Sequence, residues 1–145
     1  MADFNVDFSS MDSLIKSLEG LDMFDEDMQS KMLNAGADRL MGTIREEANR
    51  SGYQLKRISS KLSKGRKIKK DKNGNYYMTV TVGGKNERGE RNATVAFVLN
   101  YGRSEKYGKI HGSYFWTRAV NRTEKTVQGV YEDIVTEELK ERGLT

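Results

Sequence analysis

Few residues in this chain are of a type and spacing suited to chemistry. Gly83-Gly84-Lys85 has the composition of a phosphate-cradling loop but lacks the P-loop spacing and the Ser or Thr that must follow the lysine. His111 is the sole histidine of 145 residues and there is no cysteine, so a His-pair metal site, a thiolate metal site, a disulfide and a cysteine nucleophile are all excluded. A serine triad would rest on His111 alone, and Gly108, Lys109 and Gly112 around it predict a flexible loop with a surface histidine. Carboxylates cluster at Asp25-Glu26-Asp27, Glu46-Glu47 and Glu137-Glu138, but all fall on predicted helix surfaces. Solvation and helix-end charge account for them there without a two-carboxylate active site. Asn49-Arg50-Ser51, Asn92-Ala93-Thr94 and Asn121-Arg122-Thr123 have the form of glycosylation acceptors, which means nothing without a secretory signal. The expectation is therefore a protein with no catalytic residue, no cofactor and no metal.

Charge is the stronger signal. The net charge of +4 conceals −6 over residues 1–50, +13 over 51–122 and −3 over 123–145. From Lys56 to Lys72 nine residues are basic (Lys56, Arg57, Lys61, Lys64, Arg66, Lys67, Lys69, Lys70 and Lys72) against one acid, Asp71. Such a run suits three roles: contact with phosphate, where each neutralised phosphate steepens the salt dependence of binding; contact with the acidic amino-terminal third of a neighbouring copy; or a solvated, mobile hairpin. No aromatic is interleaved before Tyr76-Tyr77, which argues against a base-stacking platform. A small nucleic-acid-binding protein using this Lys56–Lys72 hairpin is the alternative to an assembly protein.

The elements that must carry these charges can be read from periodicity. One domain spanning 1–145 is expected, divided into a helical region (1–52), a basic hairpin and β-meander (53–100), a loop (101–112) and a long helix (113–142). At this length folding buries roughly 68% of the chain's surface. An apolar content of 36% against 32% charged residues suggests a small core, or a subunit completed by assembly. Proline is absent. The first residues lack the basic and apolar regions of a signal peptide and no apolar run approaches the ~20 residues a bilayer requires, so a soluble intracellular protein without membrane contact is expected.

Phe4, Val6 and Phe8 alternate with polar residues and predict a short strand or pinned arm. Ser10 is placed to cap a short helix carrying Leu14, Ile15 and Leu18 and ending near Gly20. A second helix starts at Asp25 and carries the stripe Leu33, Ala37, Leu40, Met41, Ile44 and Ala48, with Met28 and Met32 beside it as packing residues, and closes at Gly52. Asn73-Gly74 predicts a type I′ hairpin turn, followed by a return strand from Asn75 to Val82 with Tyr76, Met78, Val80 and Val82 on one face. Ala93 to Asn100, apolar on both faces, reads as a third and central strand. The last helix carries Phe115, Trp116, Ala119, Val120, Thr123, Val127, Val130, Tyr131, Ile134, Val135 and Leu139, with Gly129 marking a bend or close contact and Gly143 a cap. The fold class is α+β, with amino-terminal helices, a small antiparallel meander and a long carboxy-terminal helix packed on the sheet.

This order of elements, together with Ala96-Phe97-Val98-Leu99-Asn100-Tyr101-Gly102-Arg103-Ser104 and Tyr114-Phe115-Trp116-Thr117-Arg118-Ala119-Val120, resembles the tail-completion (head-to-tail joining, neck, minor tail component) proteins of long-tailed bacteriophages. Ser51-Gly52 with Leu55 stands near the family's Thr-Gly-x-Leu segment, Asn100-Tyr101-Gly102 near its acidic-aromatic-Gly-Thr strand end, and Tyr114-Phe115-Trp116 with Ala119 near its Pro-Phe start of the last helix. The chain departs from the pattern in Ser51 for Thr, one extra residue before Leu55, Asn100 for the acid, Arg103-Ser104 for Thr and Tyr114 for Pro. The resemblance implies a structural virion protein of a phage or prophage, made in the host bacterial cytoplasm. It would form a homo-oligomeric ring, six-fold by family analogy, between the head connector and the tail terminator or tail tube proteins, with possible non-specific DNA contact. Lys64, Arg66, Lys67, Lys69, Lys70 and Lys72 of the hairpin and Arg103, Lys106, Lys109 and His111 of the loop are the expected partner contacts. Tyr101, Gly102, Phe115, Trp116 and Ala119 are the expected structural positions.

Overall fold

The computed structural model describes residues 3–9, 11–51, 57–104 and 110–143. Strand β1 (Asp3–Val6) is followed by helix α1 (Asp12–Gly20) and by the long helix α2 (Glu26–Ser51). The basic arm forms β2 (Leu62–Lys64) and β3 (Lys69–Lys70), and the return strand is β4 (Tyr76–Val82). Helix α3 (Asn92–Tyr101), the ribbon strands β5 (Gly102–Arg103) and β6 (Ile110–His111), and helix α4 (Phe115–Glu141) complete the chain. The α+β class and the long carboxy-terminal helix are as the sequence pattern implies.

β4 is the centre of the main sheet. β1 lies antiparallel on one edge, with Val6 opposite Met78, and β2 lies antiparallel on the other, with Lys64 opposite Val80. β3 continues the β2 side, with Lys69 opposite Tyr77. Along β4 burial alternates as the period of two requires: Met78, Val80 and Val82 are buried and Tyr77, Thr79 and Thr81 only partly so. The buried face is covered by α2, whose Leu33, Ala37, Leu40, Ile44 and Ala48 are solvent-free, as are Met28 and Met32, which act as core packing. The Asp25 carboxylate accepts the Met28 amide at 2.8 Å and so caps this helix where the acidic run predicts its start.

α4 lies along α2 and reaches the sheet at the end of β1, where the buried Tyr131 hydroxyl donates to the Asp7 carbonyl at 2.9 Å. Close approach at this crossing depends on Gly36: a Cβ there would lie 2.9 Å from Tyr131 Oη and 2.9 Å from Val6 Cγ1. Gly129, by contrast, faces open space, so the close contact expected of it does not exist and α4 runs unbroken through it.

Three expectations are corrected. Residues 93–100 form helix α3 and not a central strand: both edges of β4 are already taken by β1 and β2, and an apolar run of eight residues cannot by periodicity alone distinguish a strand from a helix. The turn at Asn73-Gly74 is not type I′. Asp71 to Gly74 forms a single turn closed by the Gly74 amide on the Asp71 carbonyl, and only Gly74 has positive φ (+84°). The Asp71 carboxylate accepts the amides of Asn73 and Asn75 at 2.8 and 2.9 Å, a local anchor that selects the three-residue loop. Third, the segment from Tyr101 to Gly112 is not wholly loop, since Gly102 pairs with His111 and Arg103 with Ile110. The cap expected at Ser10 lies outside the described residues, and Phe8, although buried, stands beyond the end of β1.

Candidate assembly surface

The basic arm is not a regular strand. Between the pairs Lys64–Val80 and Lys69–Tyr77 it uses four residues where β4 uses two, so Arg66 and Lys67 are pushed out as an exposed bulge. Its six expected contact residues fall into two groups. Lys64 is held inward by an ion pair to Asp38 of α2 at 2.7 Å, and Lys70 Nζ lies 5.0 Å from the Tyr76 ring centroid. Arg66, Lys67, Lys69 and Lys72 are exposed, with no carboxylate at ion-pair distance among the described residues. Of the six expected contacts, these four make no side-chain hydrogen bond, ion pair or ring contact among the described residues and carry uncompensated positive charge.

Arg103 and His111, both exposed, sit on the β5–β6 ribbon, while Lys106 and Lys109 lie outside the described residues. Gly102 must be glycine on two counts: its φ is +82° and a Cβ would come 2.5 Å from the Ile110 carbonyl. Phe115, Trp116 and Ala119 are buried, as expected of the residues that dock the last helix. Tyr101 is not: it is 54% exposed and leaves the core edge uncovered.

Tyr101 belongs instead to an exposed aromatic corner that sequence reasoning missed. Its ring centroid lies 4.8 Å from that of Phe97, which is 41% exposed, and 6.4 Å from that of Tyr114, which is 49% exposed. Tyr114 is held at φ +55°, a left-handed conformation costly for a bulky side chain, and the strain sets the entry to α4 just where the ring turns outward. The opposite side of α3 is also incompletely covered. Val95, Val98 and Leu99 with Ile110 floor a groove of about 420 Å3 bordered by Arg88 and Arg103. The buried residues of α3 are Asn92, Ala96 and Asn100, while its apolar Val95, Phe97, Val98 and Leu99 are partly or largely exposed.

Asn100 fixes this corner to the long helix. Its Oδ1 accepts the amides of Trp116 (3.0 Å) and Thr117 (3.2 Å), and its Nδ2 donates to Thr117 Oγ1 at 2.9 Å. The side chain thus caps α4 from the end of α3, across sixteen residues of sequence. An acid in this place would accept the same two amides.

Glu47 supplies the electrostatic lock between α2 and α4. It accepts from Arg118 Nε at 3.1 Å and from Arg122 Nη1 at 3.0 Å, and Arg122 also reaches Glu46 at 2.8 Å. Burial pushes the Glu47 carboxyl up, but the hydrogen bonds and charges of the two arginines outweigh it and hold it below the ordinary glutamate value of 4.5. A lowered folded-state value stabilises the protein above pH 4.5, and that stability is lost as pH falls from there through the depressed value. Glu47→Gln is therefore expected to cost on the order of 1 kcal/mol at pH 7 and to flatten the acid limb of a pH–stability curve. Chemical denaturation from pH 3 to 7 checks this, and parallel curves for the two proteins would refute it.

Among the described residues, no cluster of three or more His, Asp or Glu side chains could hold a metal ion, and no helix is long and apolar enough to cross a membrane. No protein-family model, curated protein or solved structure matches this chain.

Proposed function

We propose that the chain is a structural subunit of a tailed phage or prophage virion, joining tail to head through ring assembly and protein contacts and doing no chemistry. The observation that carries the reading is α3. Its outward face and groove leave apolar surface uncovered in a single copy, and the exposed aromatics Phe97, Tyr101 and Tyr114 come from the same two segments that resemble the tail-completion family. Apolar side chains grouped on a surface in this way are suited to contact with a partner. The exposed cations of the hairpin, Arg66, Lys67, Lys69 and Lys72 among them, provide a second contact surface of opposite character, suited to an acidic partner.

Light scattering across concentration and salt tests the assembly, with concentration-dependent rings expected. Mass spectrometry of purified particles tests the location: the chain should be present at a fixed low copy number in complete virions. A charge reversal at Lys67, Lys69 and Lys70 should leave the melting temperature unchanged and impair joining of heads to tails. A strict monomer that binds duplex DNA with a steep salt slope would favour the nucleic-acid alternative, for which the supporting observation is that Arg66, Lys67, Lys69 and Lys72 are exposed with no ion-pair partner among the described residues.

A further inference from the structure

The main sheet ends in two open edges. β1 pairs only with β4 from one side and β2 only with β4 from the other, and among the described residues no backbone hydrogen bond leaves either strand outward. Each strand therefore offers a row of unpaired N–H and C=O groups. The β1 edge opens into a groove of about 390 Å3 whose far wall is α4, with Val6, Met11, Val120 and Val127 as its apolar lining. Thr123 stands in that wall at only 5% exposure, and its hydroxyl has no hydrogen-bond partner, where a buried hydroxyl ordinarily has one. A strand laid along β1 would bring backbone donors and acceptors to this wall.

The two edges carry opposite charge. Asp7 and Glu124 are exposed at the groove, and no Lys or Arg lines it. On the β2 side Lys61, Arg66 and Lys67 are exposed and make no ion pair among the described residues, while Lys64 is taken by Asp38 within the same copy. We infer that the edges are the halves of one contact: β2 of one copy adds to β1 of a second copy and continues its sheet along the groove beside α4. Like charges repel across paired strands, which disfavours β1 on β1 and β2 on β2 and leaves the mixed pair. Because the halves are different surfaces of the same chain, the contact is heterologous and repeats from copy to copy, as a ring requires. The inference rests on the assembly reading and places the joint between copies at the sheet edges, apart from α3.

The chain has no cysteine, so introduced ones are unique. Asn5, opposite Thr79, and Ser63, opposite Thr81, are exposed on one face of the sheet at its two edges. Asn5→Cys and Ser63→Cys should each keep the parent's melting temperature. Mixed in equal amounts and treated with a short bismaleimide, they should give a covalent dimer that neither gives alone, and a chain carrying both should give a ladder of oligomers. Glu124→Lys and Lys61→Glu should each raise the concentration for half-assembly in light scattering by roughly tenfold, and the two changes together in one chain should restore it. Thr123→Val should leave the melting temperature no lower and still weaken assembly, since it removes a hydroxyl that only the neighbour would satisfy. If the parent assembles but Glu124→Lys assembles equally well, or if either cysteine variant cross-links alone as fully as the mixture, the edge contact is wrong while ring assembly survives. A parent monomeric at every concentration overturns both.

Discussion

Gly36→Ala is expected to lower the melting temperature by roughly 5–10 °C, from an overpacking cost of about 2–3 kcal/mol in a chain of this size. The added methyl would stand 2.9 Å from Tyr131 Cε1, Tyr131 Oη and Val6 Cγ1, distances that real Cβ atoms do not tolerate. None of the three neighbours can yield easily. Tyr131 is fully buried and tied to the Asp7 carbonyl, and Val6 is locked in the sheet opposite Met78. The change therefore separates α2 from α4 and from β1 together, so helix packing and sheet attachment fail as one event. Gly42→Ala, in the same helix with nothing within 4 Å of its would-be Cβ, is the control, and it should be neutral or stabilising by up to ~1 kcal/mol. Equal melting temperatures for the Gly36 variant and the parent would show that the crossing is loosely packed.

Asn100→Ala should cost about 2–4 kcal/mol, because the amides of Trp116 and Thr117 lose their acceptor at the buried start of α4. Asn100→Asp should remain within about 1 kcal/mol of the parent, since both oxygens can accept these amides and a negative charge is favoured at a helix N-terminus. Urea denaturation gives the stabilities, and hydrogen exchange of residues 115–120 localises the damage to the first turns of α4. Indistinguishable Ala and Asp variants would mean that Asn100 acts by size and not as a cap.

The helical half of the fold was legible because its signals are local. The stripe from Leu33 to Ala48 repeats at helical spacing over four turns, and Asp25 caps the helix with its own side chain. The return strand was legible for the same reason, its alternation holding from Tyr76 to Val82. Residues 93–100 misled because apolar residues on both faces, which read as a central strand, speak of environment and not of backbone. In a single copy that environment is missing, and the assembly proposed above would supply it. The turn at Asn73-Gly74 misled through the residue before it: Asp71 offers an acceptor to two amides, an interaction that a dipeptide rule does not contain. The role of Asn100 depends on partners sixteen and seventeen residues away, Trp116 and Thr117, and nothing in the local sequence announces it.

The bulge in the basic arm inserts an even number of residues, and parity matters in a strand. With Arg66 and Lys67 removed, Gly65 would remain opposite Thr79 and Ile68 would come opposite Met78, so every side chain beyond the excision keeps its face of the sheet. Charge and register in this hairpin are thus separable. The two bulged cations form a cassette that can be removed as a pair without refolding the strands that carry it.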